Sequence, residues 1–79
     1  MVDLTAMERE LAESTGIPAS KVKLLKLPRR GKVFLIFKEA VTYTDRSRDK
    51  IEEISNRLEE HELFLTNILN NPEVIEWIP

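Results

Sequence analysis

Apolar positions along this chain change their spacing twice, and each change marks a new element. At the start Leu4, Met7, Leu11 and Ala12 recur at helical intervals and form one stripe. Thr5 with Glu8 three residues on has the form of a capping box, and Gly16 followed by Ile17 and Pro18 ends the run. The pattern predicts a helix over about Thr5 to Thr15.

The next stretch, Lys21 to Leu27, can be taken two ways. Lys21, Val22, Lys23 and Leu24 alternate as a strand does, but Leu25, Lys26 and Leu27 continue out of phase, which calls for a bulge or a twist. Alternatively Ser20 caps a short helix whose inner face holds Val22 and Leu25. The residues beyond Leu27 favour the strand, because Pro28 to Gly31 is a turn cluster and Lys32 to Lys38 is rich in Val, Phe and Ile. Two strands joined by that turn make a hairpin. In the second strand Val33, Leu35 and Phe37 share one face, and Phe34 and Ile36 the other. A two-layer domain covers only one sheet face with helices, so Phe34 and Ile36 need another cover: a neighbouring subunit, a ligand or the rest of this chain.

Thr42, Thr44 and Asp45 form a cap cluster before a third pattern. Ile51, Ile54, Leu58, His61, Leu65 and Ile68 fall at heptad a/d spacing, with Glu53 and Arg57 as an i, i+4 pair on the outside. This predicts a long helix over residues 45–69, stopped by Asn70, Asn71 and Pro72. A rival ends the helix near Glu60 and makes Leu63 to Thr66 a strand. Glu73 to Ile78 then forms a short final strand or an extended tail. The stripe either lies on the sheet of its own domain or pairs with the same helix of a second chain, His61 weakening that pairing when protonated.

Charge sharpens this layout. The chain has 79 residues and a formal net charge of -2, yet residues 17–38 hold seven bases and no acid. The flanking segments carry net charges of -3 and -6. Lys21, Lys23, Lys26, Arg29, Arg30 and Lys32 are candidate phosphate contacts, and an acidic protein surface would suit them almost as well. At this length one domain over residues 1–79 buries only about 60 % of its unfolded surface, so dimerisation would help its stability. With no cysteine there is no disulfide, thiolate metal site or cysteine nucleophile. The longest apolar run, Val33 to Phe37, cannot cross a membrane, and the acids among the first 15 residues do not suit a signal peptide. A cytoplasmic chain is expected.

Two family resemblances meet in the hairpin region. The segment LAESTGIPASKVKLLKL resembles the helix-turn-helix of DNA-binding regulators, with Ala12 between the helices, Gly16 at the turn, and Val22 and Leu25 holding the second helix. That resemblance implies a basic second helix in a DNA groove. The segment from Arg30 resembles the third strand of the RNA-recognition motif at Arg30, Gly31, Phe34, Leu35 and Phe37. Lys32 and Val33 depart from it, Lys32 standing where one base-stacking residue would be. The resemblance implies that Phe34 stacks on a base.

Catalytic chemistry has little to work with. There is one His, and the two glycines, Gly16 and Gly31, cannot build a phosphate-cradling loop. Glu59, Glu60 and Glu62 beside His61 suit a solvated helix face better than a metal site. The expected fold is a small two-layer α+β sandwich of order helix, strand, strand, helix, strand, a ferredoxin-like layout without its first strand. A winged helix-turn-helix with a long dimerisation helix is the alternative. The expected function is non-enzymatic nucleic-acid binding by a basic hairpin at residues 21–38, with Phe34 included and no metal, cofactor or small-molecule substrate. The alternative is protein interaction or homodimerisation through Phe34 and Ile36 or through the heptad residues Ile51, Ile54, Leu58, His61 and Leu65.

Overall fold

The first helix starts earlier than the Thr5 capping box predicts, and on a different cap. In the computed structural model, which describes residues 2–28, 31–39, 41 and 44–69, helix α1 spans Leu4–Thr15. Asp3 is the N-cap, accepting from the Ala6 amide at 3.0 Å, and its negative charge suits the positive end of the helix. Thr5 lies inside the helix, and the Glu8 carboxylate is used elsewhere. At the other end Gly16 adopts φ 77° and donates to the Ala12 carbonyl, as the sequence predicts.

After Pro18 a single 3-10 turn, Ala19–Lys21, leads into strand β1, Val22–Lys26, which pairs antiparallel with β2, Lys32–Phe37. This overturns the winged helix-turn-helix alternative: the segment after Gly16 is strand, so α1 has no second helix to support. The register runs from Val22↔Phe37 to Lys26↔Val33 without a break. Of the bulge or twist that the out-of-phase residues call for, no bulge occurs between β1 and β2. Leu25 joins Lys23 on the outer face, and Lys26 stays exposed at the strand end.

Helix α2 spans Asp45–Glu59, and Thr44 caps it by accepting from the Ser47 amide at 3.2 Å. Ser47 is the buried polar residue that joins the two helices, its hydroxyl donating to the Ser14 carbonyl at 3.1 Å. The expected helix over residues 45–69 ends ten residues early. Leu63 donates to the Leu58 carbonyl and Glu62 to the Glu59 carbonyl, both at 3.0 Å, with Glu62 at φ 58°. That is a Schellman closure, and its usual apolar contact is supplied by two buried residues, Leu58 and Leu63. The turn frees the chain to run as strand β3, Phe64–Leu69, parallel to β2 and connected to it through α2.

The sheet order is β1-β2-β3, so the α+β order helix, strand, strand, helix, strand holds, with Phe64–Leu69 as its last member. The strand or tail expected at residues 73–78 lies outside the described residues. Both helices cover one sheet face. Met7, Leu11 and Ala12 from α1 and Ile54 and Leu58 from α2 meet Val22, Leu24, Val33, Leu35 and Phe37. Ile51 and Leu65 pack against the same cluster. The a/d stripe therefore serves its own sheet, and these four heptad positions are not an exposed dimer seam. His61 is exposed beyond the helix end. No helix among the described residues is long and apolar enough to cross a membrane.

Gly31 is where β2 meets the turn into β3. It has φ 64°, and a Cβ there would overlap the Glu62 carbonyl oxygen. Its own carbonyl accepts from the Phe64 amide at 2.8 Å, the first bond that brings β3 alongside β2.

Candidate nucleic-acid interface

The sheet face away from the helices is built by strand alternation. Lys23 and Leu25 of β1 lie beside Ile36 and Phe34 of β2, and Lys32 lies beside Phe64 of β3. The far end of this face is closed, because Ile36 is 1 % exposed although it is not part of the helix-side cluster. Of the covers expected for Phe34 and Ile36, no second subunit is therefore needed at Ile36. The end nearer the β1–β2 turn is open: Lys32 is exposed, Phe64 is 46 % exposed, and Leu25 and Phe34 are half-buried. A β-bulge between Val33 and Phe34 in the β2–β3 register lies between the Lys32–Phe64 row and the Phe34 row, where it increases the local twist.

Electrostatics mark the same hairpin. Lys21, Lys26, Lys32 and Lys38 are exposed and Lys23 is half-buried. Among the described residues none of these five forms an ion pair, whereas Lys50 and Arg57 on α2 are both held by Glu10 of α1. Arg9, Arg46 and Arg48 have no ion pair among those residues either, but they sit among Glu8, Glu10, Asp45 and Asp49 in sequence, while the hairpin has no acid. Glu8, the α1 acid that reaches β1, has its carboxylate on the Leu24 amide at 2.8 Å. Leu24 lies between residues that bond to β2, as the Leu27–Lys32 and Lys38–Lys21 backbone bonds show, so its amide points off the sheet edge. Arg29 and Arg30 lie outside the described residues.

The helix side carries its own ionic clamp. Arg57 donates two bonds to Glu10, at 2.9 and 3.0 Å, and Lys50 approaches Glu10 at 3.1 Å. Glu53 joins through Lys50 at 3.2 Å and through Arg57 at 3.6 Å, the latter being the i, i+4 pair the sequence predicts. Hydrogen bonds from Arg57, then from Lys50, hold the Glu10 carboxyl down at about 2. Because the folded value is depressed, this stabilisation is full above the ordinary value of 4.5 and is lost as pH falls towards 2. Glu10 is one-third exposed, so solvent screening limits the clamp to about 1 kcal/mol. Glu10→Gln is expected to lower stability by that amount at pH 7, and the gap to wild type should close near pH 2. A gap that persists unchanged in urea titrations across that range would show that charge is not its source.

Two hollows flank these features. An open groove of about 560 Å³ between α1 and α2 is lined by Glu10, Glu13, Arg46, Asp49, Lys50 and Glu53, charges that largely answer one another. A smaller one of about 270 Å³ is lined by Val2, Leu4, Lys26, His61 and Leu63. It brings the histidine of the a/d stripe beside a hairpin lysine. Among the described residues no three His, Asp or Glu side chains converge where a metal ion could sit.

The structure thus gathers Lys23, Lys32 and Phe34 on one face, whereas Lys26, paired with Val33, lies at the strand end on the helix side beside Val2, Leu4, His61 and Leu63. It adds Phe64, which the sequence did not offer because the heptad pattern placed that residue in a helix and off its stripe. Strand alternation from Leu63 onward was the available signal. Comparison of the chain with family models, with curated proteins and with solved structures finds no match.

Proposed function

We propose that this chain is a small non-enzymatic nucleic-acid-binding module, whose ligand lies across the outer face of the hairpin. The observation that carries the proposal is the set of hairpin lysines without an acidic partner among the described residues, beside the half-buried ring of Phe34 and the exposed ring of Phe64. Lys21, Lys23, Lys26 and Lys32, with Arg29 and Arg30 between the two strands in sequence, contact phosphates and release counterions. The helix layer supports this orientation. Across α1 and α2 the acids outnumber the bases, so phosphate is repelled from that side and drawn to the sheet.

Affinity is expected to fall steeply as salt rises. The double variant Lys23→Ala with Lys32→Ala should reduce the slope of log K against log salt by about 1.4–1.8, at roughly 0.7–0.9 per phosphate contact. Fluorescence anisotropy of labelled DNA and RNA measures this, and no binding of either at low salt would end the proposal.

A second function, protein interaction or self-association, is favoured by one observation. Among the described residues the two exposed large hydrophobic side chains, Phe64 and Ile68, both lie on β3, an edge strand. Light scattering on the same samples separates the two: a dimer that forms without nucleic acid, in a chain that binds none, selects interaction.

A further inference from the structure

We infer that the polymer bound by this face is single-stranded, with neighbouring bases stacked on Phe34 and Phe64. The inference rests on the nucleic-acid function proposed above and adds the class of ligand. Phe64 pairs in register with Lys32, and Phe34 is two residues beyond Lys32 on the same face. Strand spacing and rise then place the Cα atoms of the two phenylalanines about 8 Å apart, on adjacent strands and on one surface. Phe64 is 46 % exposed and Phe34 is half-buried, so both rings reach solvent while the sheet holds their backbones. Lys32 stands beside Phe64 and two residues from Phe34 on the same face, placed to meet the phosphate that links two stacked bases.

A duplex does not fit this surface. Its bases are already stacked on each other and offer only their edges, so aromatic rings gain no base face unless the strands part. A major groove accepts a helix or a two-stranded ribbon. Here both helices lie on the opposite face, and β2 is hydrogen-bonded on both sides, so the hairpin is not a separate ribbon. Ile36 sets the limit of the site, since the face is closed at that row. Two base platforms, not a long track, are what remains.

The test is anisotropy on the full chain with three probes of equal length: oligouridine RNA, oligothymidine DNA and a mixed-sequence DNA duplex. Both single strands should bind more tightly than the duplex at the same salt, and the tighter of the two identifies the natural sugar. Phe34→Leu and Phe64→Leu retain apolar bulk without a ring. Each should weaken single-strand binding by about 10-fold, with little change for the duplex and an unchanged salt slope. Circular dichroism melts confirm that both variants fold, and if Phe34→Leu does not, Phe64→Leu decides the matter. Equal affinity for duplex and single strand, or wild-type affinity in Phe64→Leu, overturns base stacking and leaves phosphate binding standing. Absence of binding to all three probes removes both.

Discussion

Gly31→Ala is expected to cost this domain about 3 kcal/mol or more. Two penalties act at that position. A side chain at φ 64° is strained, which alone costs about 1–2 kcal/mol. Its Cβ would also overlap the carbonyl oxygen of Glu62, which is backbone and is held by the closure of α2. Relief requires that β2 and the α2–β3 turn separate, and the Gly31–Phe64 hydrogen bond opposes this. A domain of this size has a total stability of roughly 4–12 kcal/mol, so the loss is a large share of it. Gly16→Ala is the matched control, since Gly16 has φ 77° but no atom lies within 4 Å of the place its new methyl group would take. It should lose only about 1 kcal/mol. Urea midpoints for the two variants give the comparison, and equal losses would mean that the contact with Glu62 imposes no constraint.

Phe37→Ala should be comparably severe, at about 3–5 kcal/mol. Phe37 has no exposed surface and is the largest fully buried side chain among the described residues, enclosed by the helix-side cluster. Its truncation leaves a cavity that the packed cluster around it cannot fill. Phe34, three residues earlier on the same strand, faces the other way and is half-buried. Phe34→Ala should cost under about 2 kcal/mol. The contrast tests strand register directly, because a slip of one residue between β1 and β2 would exchange the two environments. A larger loss in Phe34→Ala than in Phe37→Ala, measured by thermal or urea unfolding, would exclude the Val22↔Phe37 register.

Much of this fold can be read from residue order, and the exceptions have physical causes. The Gly16 cap, the alternation of Val33 to Phe37 and the Thr44 cap are local signals, and each appears where the sequence places it. The end of α2 is different. Its a/d spacing continues through Leu65 and Ile68 although the helix stops at Glu59, because Leu65 reaches the core from a strand. The residue that takes the left-handed conformation there is Glu62, so no Gly or Asn marks the turn. At the start of α1 the sequence signal points to Thr5, but Asp3 takes the cap and Glu8 turns to β1. The candidate interface was legible in its lysines and in Phe34. Phe64 was not, since its exposure depends on the turn that the heptad pattern conceals.

The bond from the Leu24 amide to Glu8, with the Val22 amide turned to Ala19, makes the sheet asymmetric as a template. Two outward amides of β1 are taken within the chain, while β3 is the other edge of the sheet among the described residues. A unit with two receptive edges can add copies without end, as fibres do, whereas a unit with one stops at a closed pair. Glu8 thus acts as a partial edge guard: with its carboxylate on the Leu24 amide and the Val22 amide already bonded, an incoming strand at β1 meets fewer free donors than an open edge would offer.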